Sequence, residues 1–599
     1  MPIQRRQFLA GTAALLGSAP LHSAVGQTTD AYADLVVLDG RITTMDPNRP
    51  EATALAARDG KFIKIGDEAD VTPLIGPFTQ VVRANKKRII PGLIDSHTHS
   101  IRGGVNYNLE VRWDHADSLE EALHLLRIQA ERTPEGQFIR VAGGFSEFQF
   151  KEKRLPTVAE LDSVAPNHPV LIHYLYKMTL LNSRAISYFG YDKEGHPTYP
   201  GGVIEKDANG DPTGRLISAP SGLLMYKTLS QAPKLSIRDQ INSSMQYMDE
   251  LNSMGITSVS DAGGGGMEFP DADPYQVINH MHREGLLTTR IGYHTFPQVK
   301  GREFEDYQDW TDRFTPGEGD DMLRLIGAGE NLSWASYDFE IFGEERPDID
   351  RNAEEIQHKI MTLLGEKGWA FRQHITYDET GDRLLKVYED VKRGAGLVDG
   401  WFVDHVETFS ERNLERIAEL GGGVALQNRL QFQAEDFVKT YGMEKLKKTP
   451  NFRFIMDLGI PMGGGTDATR VTSYNPWYSI QWMATGLSRG GMRMYDDDNL
   501  LTREEALRVW TVGSSWFTGD SGKKGAITEG QLADFAILDR DYFAVTDAEI
   551  ARITSALTAV GGRVVYAKDE FATHDLSHVP PVSPNWSPVV TFGDSRDAK

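Results

Sequence analysis

Ile90-Pro91-Gly92-Leu93-Ile94-Asp95-Ser96-His97-Thr98-His99 is an apolar run that ends in two histidines one residue apart. An extended chain sends alternate side chains to the same face, so His97 and His99 share one side of a buried strand and can grip one metal ion. Taken alone, such a pair is as readily two satisfied polar side chains. Three segments further along the chain decide between these readings. His374 closes Ala370-Phe371-Arg372-Gln373-His374, His405 closes Phe402-Val403-Asp404-His405, and Asp467 comes directly after Gly463-Gly464-Gly465-Thr466.

Each of these segments lies where apolar strands alternate with amphipathic helices, the pattern of βα units around a parallel sheet. Eight strands are expected, at Leu93 to His97, Ile256 to Ser260, Arg290 to Thr295, Leu323 to Ala328, Ala370 to His374, Phe402 to His405, Val424 to Gln427 and Pro461 to Thr466. The helices between them include Ile237 to Gly255, Ala353 to Lys367 and Glu411 to Leu420. The expected fold class is α/β, a (β/α)8 TIM barrel over 93–499. His97, His99, His374, His405 and Asp467 all fall at C-terminal strand ends, the face on which such barrels build their active sites. The stretch from Gly103 to Ser230 has its own strands, Phe138 to Ala142 and Val170 to Tyr174, and reads as an insertion after the first barrel strand. Short strands before residue 92 and after residue 500 predict one β-sandwich built from 30–92 and 500–580. Asp39-Gly40 and Asp59-Gly60 are hairpin signals within it.

The composition narrows the chemistry. The 599 residues carry a formal charge of -22, which repels nucleic acid phosphates, and no basic patch offsets it. With 0 cysteines there is no thiolate metal site, iron–sulfur cluster, disulfide or cysteine nucleophile, so a metal must sit on nitrogen and oxygen ligands. Imidazole and carboxylate suit a divalent ion such as Zn²⁺. Arg5-Arg6 before the apolar run Ala10 to Ala19, then small residues near Gly26, predict a signal peptide over 1–26. It resembles a twin-arginine export signal, which implies a periplasmic protein. No segment is expected to span a membrane permanently.

The P-G-x-x-D-x-H-x-H strand, single histidines on strands five and six, the strand-eight aspartate and the split β-sandwich together resemble the amidohydrolase superfamily. The resemblance is to its YtcJ-like group, which includes N-substituted formamide deformylases, and it covers nearly the whole mature chain. Asn182-Ser183-Arg184-Ala185 and Asp211-Pro212-Thr213-Gly214 are similar to further stretches of that group. The resemblance implies that His97, His99, His374, His405 and Asp467 bind one or two divalent metal ions, zinc foremost, and that Asp467 also shuttles protons. It implies hydrolysis of a C–N amide-type bond in a small molecule, with a deaminase, lactonase or carbamate hydrolase on the same scaffold as alternatives. An exported binding protein without turnover is the reading from another class, and assembly into a homo-oligomer stays open. Two departures stand out. Arg324 occupies the strand-four position where the group commonly has a lysine able to bridge two metals, and guanidinium cannot form a carbamate. Lys177 stands where the group usually has a histidine; it is a replacement bridge, a substrate-binding cation or an exposed lysine. Glu330, six residues beyond Arg324, is a further carboxylate ligand or, the reading given more weight, an acid on a solvated loop.

Metal-activated water would attack the carbonyl, with Asp467 as general acid/base and His405 or His374 assisting the oxyanion. For the substrate, aromatic residues at Phe145 to Phe150, Tyr174 to Tyr176, Trp334 to Tyr337 and Tyr474 to Trp482 suggest either a covered apolar pocket or core packing. Trp334 and Arg324 are substrate-binding candidates, Arg324 through a carboxylate unless it forms an internal salt bridge. The glycine runs Gly263 to Gly266, Gly421 to Gly423 and Gly463 to Gly465 lack phosphate-loop spacing and read as close turns at strand ends.

Overall fold

The computed structural model describes residues 32–192, 202–218, 222–264, 269–343, 348–575 and 579–592. The export signal expected over 1–26 lies outside them, as do Gly265 and Gly266. Eight parallel strands carry the centre of the molecule: β1 (Leu93–Thr98), β2 (Ile256–Asp261), β3 (Arg290–Thr295), β4 (Leu323–Ala328), β5 (Arg372–Ile375), β6 (Phe402–His405), β7 (Gly423–Gln427) and β8 (Met462–Gly465). Pairing runs β1 to β4 in one sheet and β5 to β8 in another. Ala328 bridges to Phe371 between the two sheets, and the Thr466 and Asp467 N–H groups donate to His97 O at 3.1 and 2.8 Å. The strands are buried on both faces, yet several carry polar residues among the apolar ones, as in Leu93–Thr98 and Arg372–Ile375.

Helices between the strands begin and end on local chemistry. Ser236 caps Ile237–Ser253 by accepting the Asp239 N–H, and Ser410 does the same for Glu411–Leu420 with Asn413. The second helix stops at Gly421, whose φ of 80° is left-handed and cheap only for glycine.

Gly463-Gly464-Gly465 lies within β8, inside the strand expected over Pro461 to Thr466, and does not form the close turn that its glycines also suggest. A Cβ on Gly464 would stand 2.3 Å from Trp510 Nε1, and one on Gly465 2.7 Å from the His97 backbone nitrogen. The glycines are there because neighbours already fill the side-chain space, and their lack of bulk lets the chain draw Asp467 up to β1.

Both ends of the chain meet in one six-stranded sheet. Its order is 563–567, 555–560, 535–538, 88–91, 41–43 and 51–52, with Phe535 to Ile537 antiparallel to Ile89 to Pro91. A four-stranded sheet of 61–66, 54–58, 35–38 and 80–83 holds the remaining N-terminal strands. Asp59-Gly60 makes the expected hairpin, with positive φ at both residues (51° and 77°). Asp39-Gly40 does not. The strands on either side of it belong to different sheets, and the chain crosses between them at Gly40, where a Cβ would stand 2.6 Å from the Ile89 side chain. Residues between β1 and β2 carry a separate six-stranded sheet, ordered 203–206, 212–217, 178–181, 170–174, 139–141 and 110–111, with its own core around Trp113, Phe145, Phe150 and Tyr174. Among the described residues no helix is long and apolar enough to cross a membrane.

Candidate metal centre

Six buried side chains from five strand ends converge on one space. His97 and His99 come from the end of β1, Glu330 from just beyond β4, His374 and His405 from β5 and β6, and Asp467 from just beyond β8. Their donor atoms form three overlapping groups, His97 with His405 and Asp467, His97 with His99 and Glu330, and Glu330 with His374 and His405, each within 4.8 Å. Asp467 Oδ1 lies 3.2 Å from His99 Nε2 and 3.5 Å from His97 Nε2. Glu330 faces both ways: Oε1 is 2.9 Å from His374 Nδ1 and 3.4 Å from His405 Nε2, whereas Oε2 is 3.5 Å from His99 Nε2.

The surroundings hold these groups in place. Asp404 Oδ1 sits 2.8 Å from His97 Nδ1 and is itself gripped by Arg372, with Nε on Oδ2 at 2.8 Å and Nη2 on Oδ1 at 2.6 Å. That turns His97 Nε2 towards the cluster, the usual outer support of a metal-ligating histidine. His99 Nδ1 donates to Gly263 O at 2.6 Å, with the same result. His374 Nε2 is 2.8 Å from Asp338 O, leaving Nδ1 for the cluster. Arg429 binds Glu407 through Nε and Nη2 at 2.8 and 2.9 Å and reaches Glu340 Oε2 at 3.1 Å.

The electrostatics fit a cation. Burial drives His97 down, but the Asp404 carboxylate outweighs it and lifts the imidazole to about 9. Burial raises Asp467, and the His97 and His99 imidazoles more than reverse this, holding its carboxyl well below the ordinary range. Burial likewise opposes Glu330, which the His374, His97 and His99 rings pull down. His97 Nε2 is buried without a hydrogen-bond partner. Four imidazoles and two carboxylates aimed at one another, with such an orphaned nitrogen among them, match the nitrogen and oxygen donor set of a divalent metal.

The cluster opens into a cavity of about 670 Å³ whose walls include His99, Glu330, His374 and Asp467 on one side and Phe296, Trp334, Tyr337 and Phe339 on another. Trp334 stands in this wall, stacked on Phe296 with ring centroids 5.6 Å apart. Of the other aromatic clusters Tyr176 also lines the cavity, whereas Phe145, Phe150 and Tyr174 pack inside the inserted sheet, and Tyr474, Trp477 and Trp482 inside the main core. His405, expected also to assist the oxyanion, is fully buried behind the other ligands and does not line the cavity.

Lys177 and Arg324 require correction. Lys177 belongs neither to the cluster nor to the cavity wall, because its Nζ is taken by Asp436 Oδ2 at 2.9 Å. Arg324 lies at the start of β4, about 20 Å of extended strand from Glu330, and Nη2 binds Asp520 Oδ1 at 2.6 Å and Thr518 O at 2.9 Å. It is held at the start of β4 and does not line the cavity. Glu330, given more weight as a solvated loop acid, is instead buried in the cluster.

Burial would raise Asp520, yet Lys524 and Arg324 bring it down to about 2. A depressed carboxyl stabilises the fold above its unfolded value near 3.8, and the gain disappears as pH falls through about 2. Arg324→Met is therefore expected to lower unfolding free energy by about 1–3 kcal/mol at neutral pH without changing kcat/KM. In denaturant titrations the deficit should shrink as pH drops from about 4 towards 2.

The outer groups Asp338, Glu340, Asp404, Glu407 and Arg429 carry no signal of their own in the sequence reading. Asp404 directly precedes His405 on β6, and the positive φ of 84° at His405 breaks the strand alternation so that both side chains reach His97.

A model of the amidohydrolase family matches residues 80–566. An N-substituted formamide deformylase of Arthrobacter pascens is 25% identical over 89% of this chain and 98% of its own length. The putative amidohydrolase YtcJ of Bacillus subtilis is 23% identical over 88% and 98%. Among solved structures, a metal-dependent hydrolase from Pyrococcus horikoshii superposes with a TM-score of 0.61 at 19% identity, covering 86% of this chain and 99% of that one. The shared fold is of the TIM-barrel α/β type. The chain thus belongs to the amidohydrolase family and is a metal-dependent hydrolase acting on carbon–nitrogen bonds.

Proposed function

We propose that the protein hydrolyses an N-substituted amide or formamide at a centre of two divalent ions, zinc in the first instance. The observation that carries this reading is Glu330, whose Oε1 faces His374 and His405, with His97 Nε2 further off at 3.9 Å, and whose Oε2 faces His99. His97, His99 and Asp467 would hold one ion and His374 and His405 the other, with Glu330 between them. When bound, such metals polarise a carbonyl and bring the pKa of water towards about 7.

The chain's own residues do the rest. Asp467 lines the cavity and is ionised at neutral pH, so it accepts the proton of the attacking water and returns it to the leaving nitrogen. Phe296, Trp334 and Tyr337 exclude water and pack against the apolar part of the substrate. Arg429, pinned by Glu407 and Glu340 and 3.7 Å from Asp467 Oδ2, fixes the orientation of that carboxylate. His405 serves as a ligand in this scheme.

In this reading the two parallel sheets form one closed barrel over 93–499, joined at Ala328 with Phe371 and at His97 with Thr466 and Asp467. The sheets at the two chain ends form the sandwich of 30–92 and 500–580, the inserted sheet lies within 103–230, and export rests on residues 1–26. The relative named for N-substituted formamides supports that substrate class. Incubation with a chelator should abolish hydrolysis of N-benzylformamide, and stoichiometric Zn²⁺ should restore it. Undiminished turnover in metal-free protein would refute the scheme.

A further inference from the structure

Two guanidinium groups in the cavity wall keep buried N–H groups without a hydrogen-bond partner, although the Asp467 and Glu330 carboxylates act on Arg102 through space. Arg102 is 5% exposed, lines the cavity, and leaves Nε and Nη2 without hydrogen bonds. Arg470 lines the same cavity, places its guanidinium 4.9 Å from the Tyr226 ring centroid, and leaves Nη1 buried and unbonded. A third arginine in the wall, Arg140, differs: it donates to Pro233 O and to Asn106 Oδ1. Glu110, an acid of the same wall, is taken by Arg112 at 2.7 Å. Buried N–H groups left without an acceptor are costly, so the free guanidinium nitrogens of buried Arg102 and half-buried Arg470 beside one space suit an anion that enters with the ligand.

Their position limits what that anion is. Arg102 follows His99 by three residues in the first turn of Ser100–Asn106, and Arg470 follows Asp467 by three. Three residues span at most about 11 Å, so both cations stand within one small molecule's length of the candidate ligands. A planar carboxylate suits the guanidinium fork, and in an N-acylated amino acid it lies one carbon from the amide nitrogen. Phe296, Trp334 and Tyr337 remain to receive an apolar side chain.

We propose that Arg102 and Arg470 bind the carboxylate of an N-acylated or N-formylated amino acid, which makes this acid, and not a neutral amide, the preferred substrate. The inference rests on the hydrolase reading above: water adds to the acyl carbon, the C–N bond breaks, and the proton passes to the amine nitrogen.

The test compares N-formyl- and N-acetylphenylalanine with their carboxamides on metal-loaded protein, and measures binding of the same four compounds to metal-free protein by calorimetry. The acids should exceed the amides at least about tenfold in kcat/KM and in affinity. Arg102→Met and Arg470→Met should each collapse that ratio towards one, and Arg102→Lys should keep part of it. Equal or better handling of the amides by the unaltered protein would overturn the proposal even if a variant fails to fold. Acid-selective binding with no hydrolysis of these compounds or of N-benzylformamide would sustain the carboxylate site and refute the hydrolase reading instead.

Discussion

Asp467→Asn is expected to lower kcat by about 10²–10⁴-fold, the usual contribution of a positioned acid or base. The amide keeps the volume of the carboxylate but cannot accept a proton at neutral pH. It also offers His97 and His99 a weaker oxygen at the position that Oδ1 holds 3.5 and 3.2 Å from their Nε2 atoms. The loss should appear with the fold intact, because the neighbouring backbone is fixed by hydrogen bonds that the substitution leaves alone, from Thr466 and Asp467 N–H to His97 O. Steady-state kinetics, with circular dichroism as the control for folding, reads this directly. A variant within about threefold of the parent rate, far short of the loss that removing an acid/base causes, would remove Asp467 from proton transfer.

Glu330→Gln is expected to have the second largest effect. A glutamine can present one good oxygen, whereas Glu330 now presents Oε1 to His374 and His405 and Oε2 to His99. The protein should bind about one metal equivalent fewer per chain, and its activity should fall by more than the 10–100-fold, roughly, that losing an outer support of a metal ligand costs. Elemental analysis of parent and variant purified side by side tests this. Unchanged metal content would show that Glu330 does not link two sites. The variant also separates Glu330 from Arg324, which starts the same strand but pairs with Asp520 at the far end.

The central strands are readable from the short apolar stretches that open them or precede them, as in Ile90 to Ile94 and Phe402-Val403, while the buried polar residues that follow, His97, His374 and His405, mark the strand ends. Glu330 is not readable in the same way. It lies beyond β4 in Gly329-Glu330-Asn331, which reads as a polar loop. Its burial comes from backbone stitching across three other elements: Gly329 N–H to Thr295 O, Glu330 N–H to Ala262 O, and His374 N–H to Glu330 O. Those partners are distant in sequence and carry no local signature. Arg324 reads as a residue of the barrel mouth because strand parity says which face a side chain takes and nothing about which end of the strand it serves. Asp39-Gly40 is likewise a hairpin dipeptide by composition, but its flanking strands pair with partners distant in sequence and belong to different sheets.

The central claim is that six side chains from five strand ends enclose metal. Anomalous diffraction at the zinc absorption edge, on crystals of the zinc-loaded protein, tests it most directly. The account predicts two peaks, one among His97, His99 and Asp467 and one beside His374 and His405, with the Glu330 carboxylate between them. Zinc bound only elsewhere on the protein, or no ordered zinc within coordination distance of these residues, would contradict it.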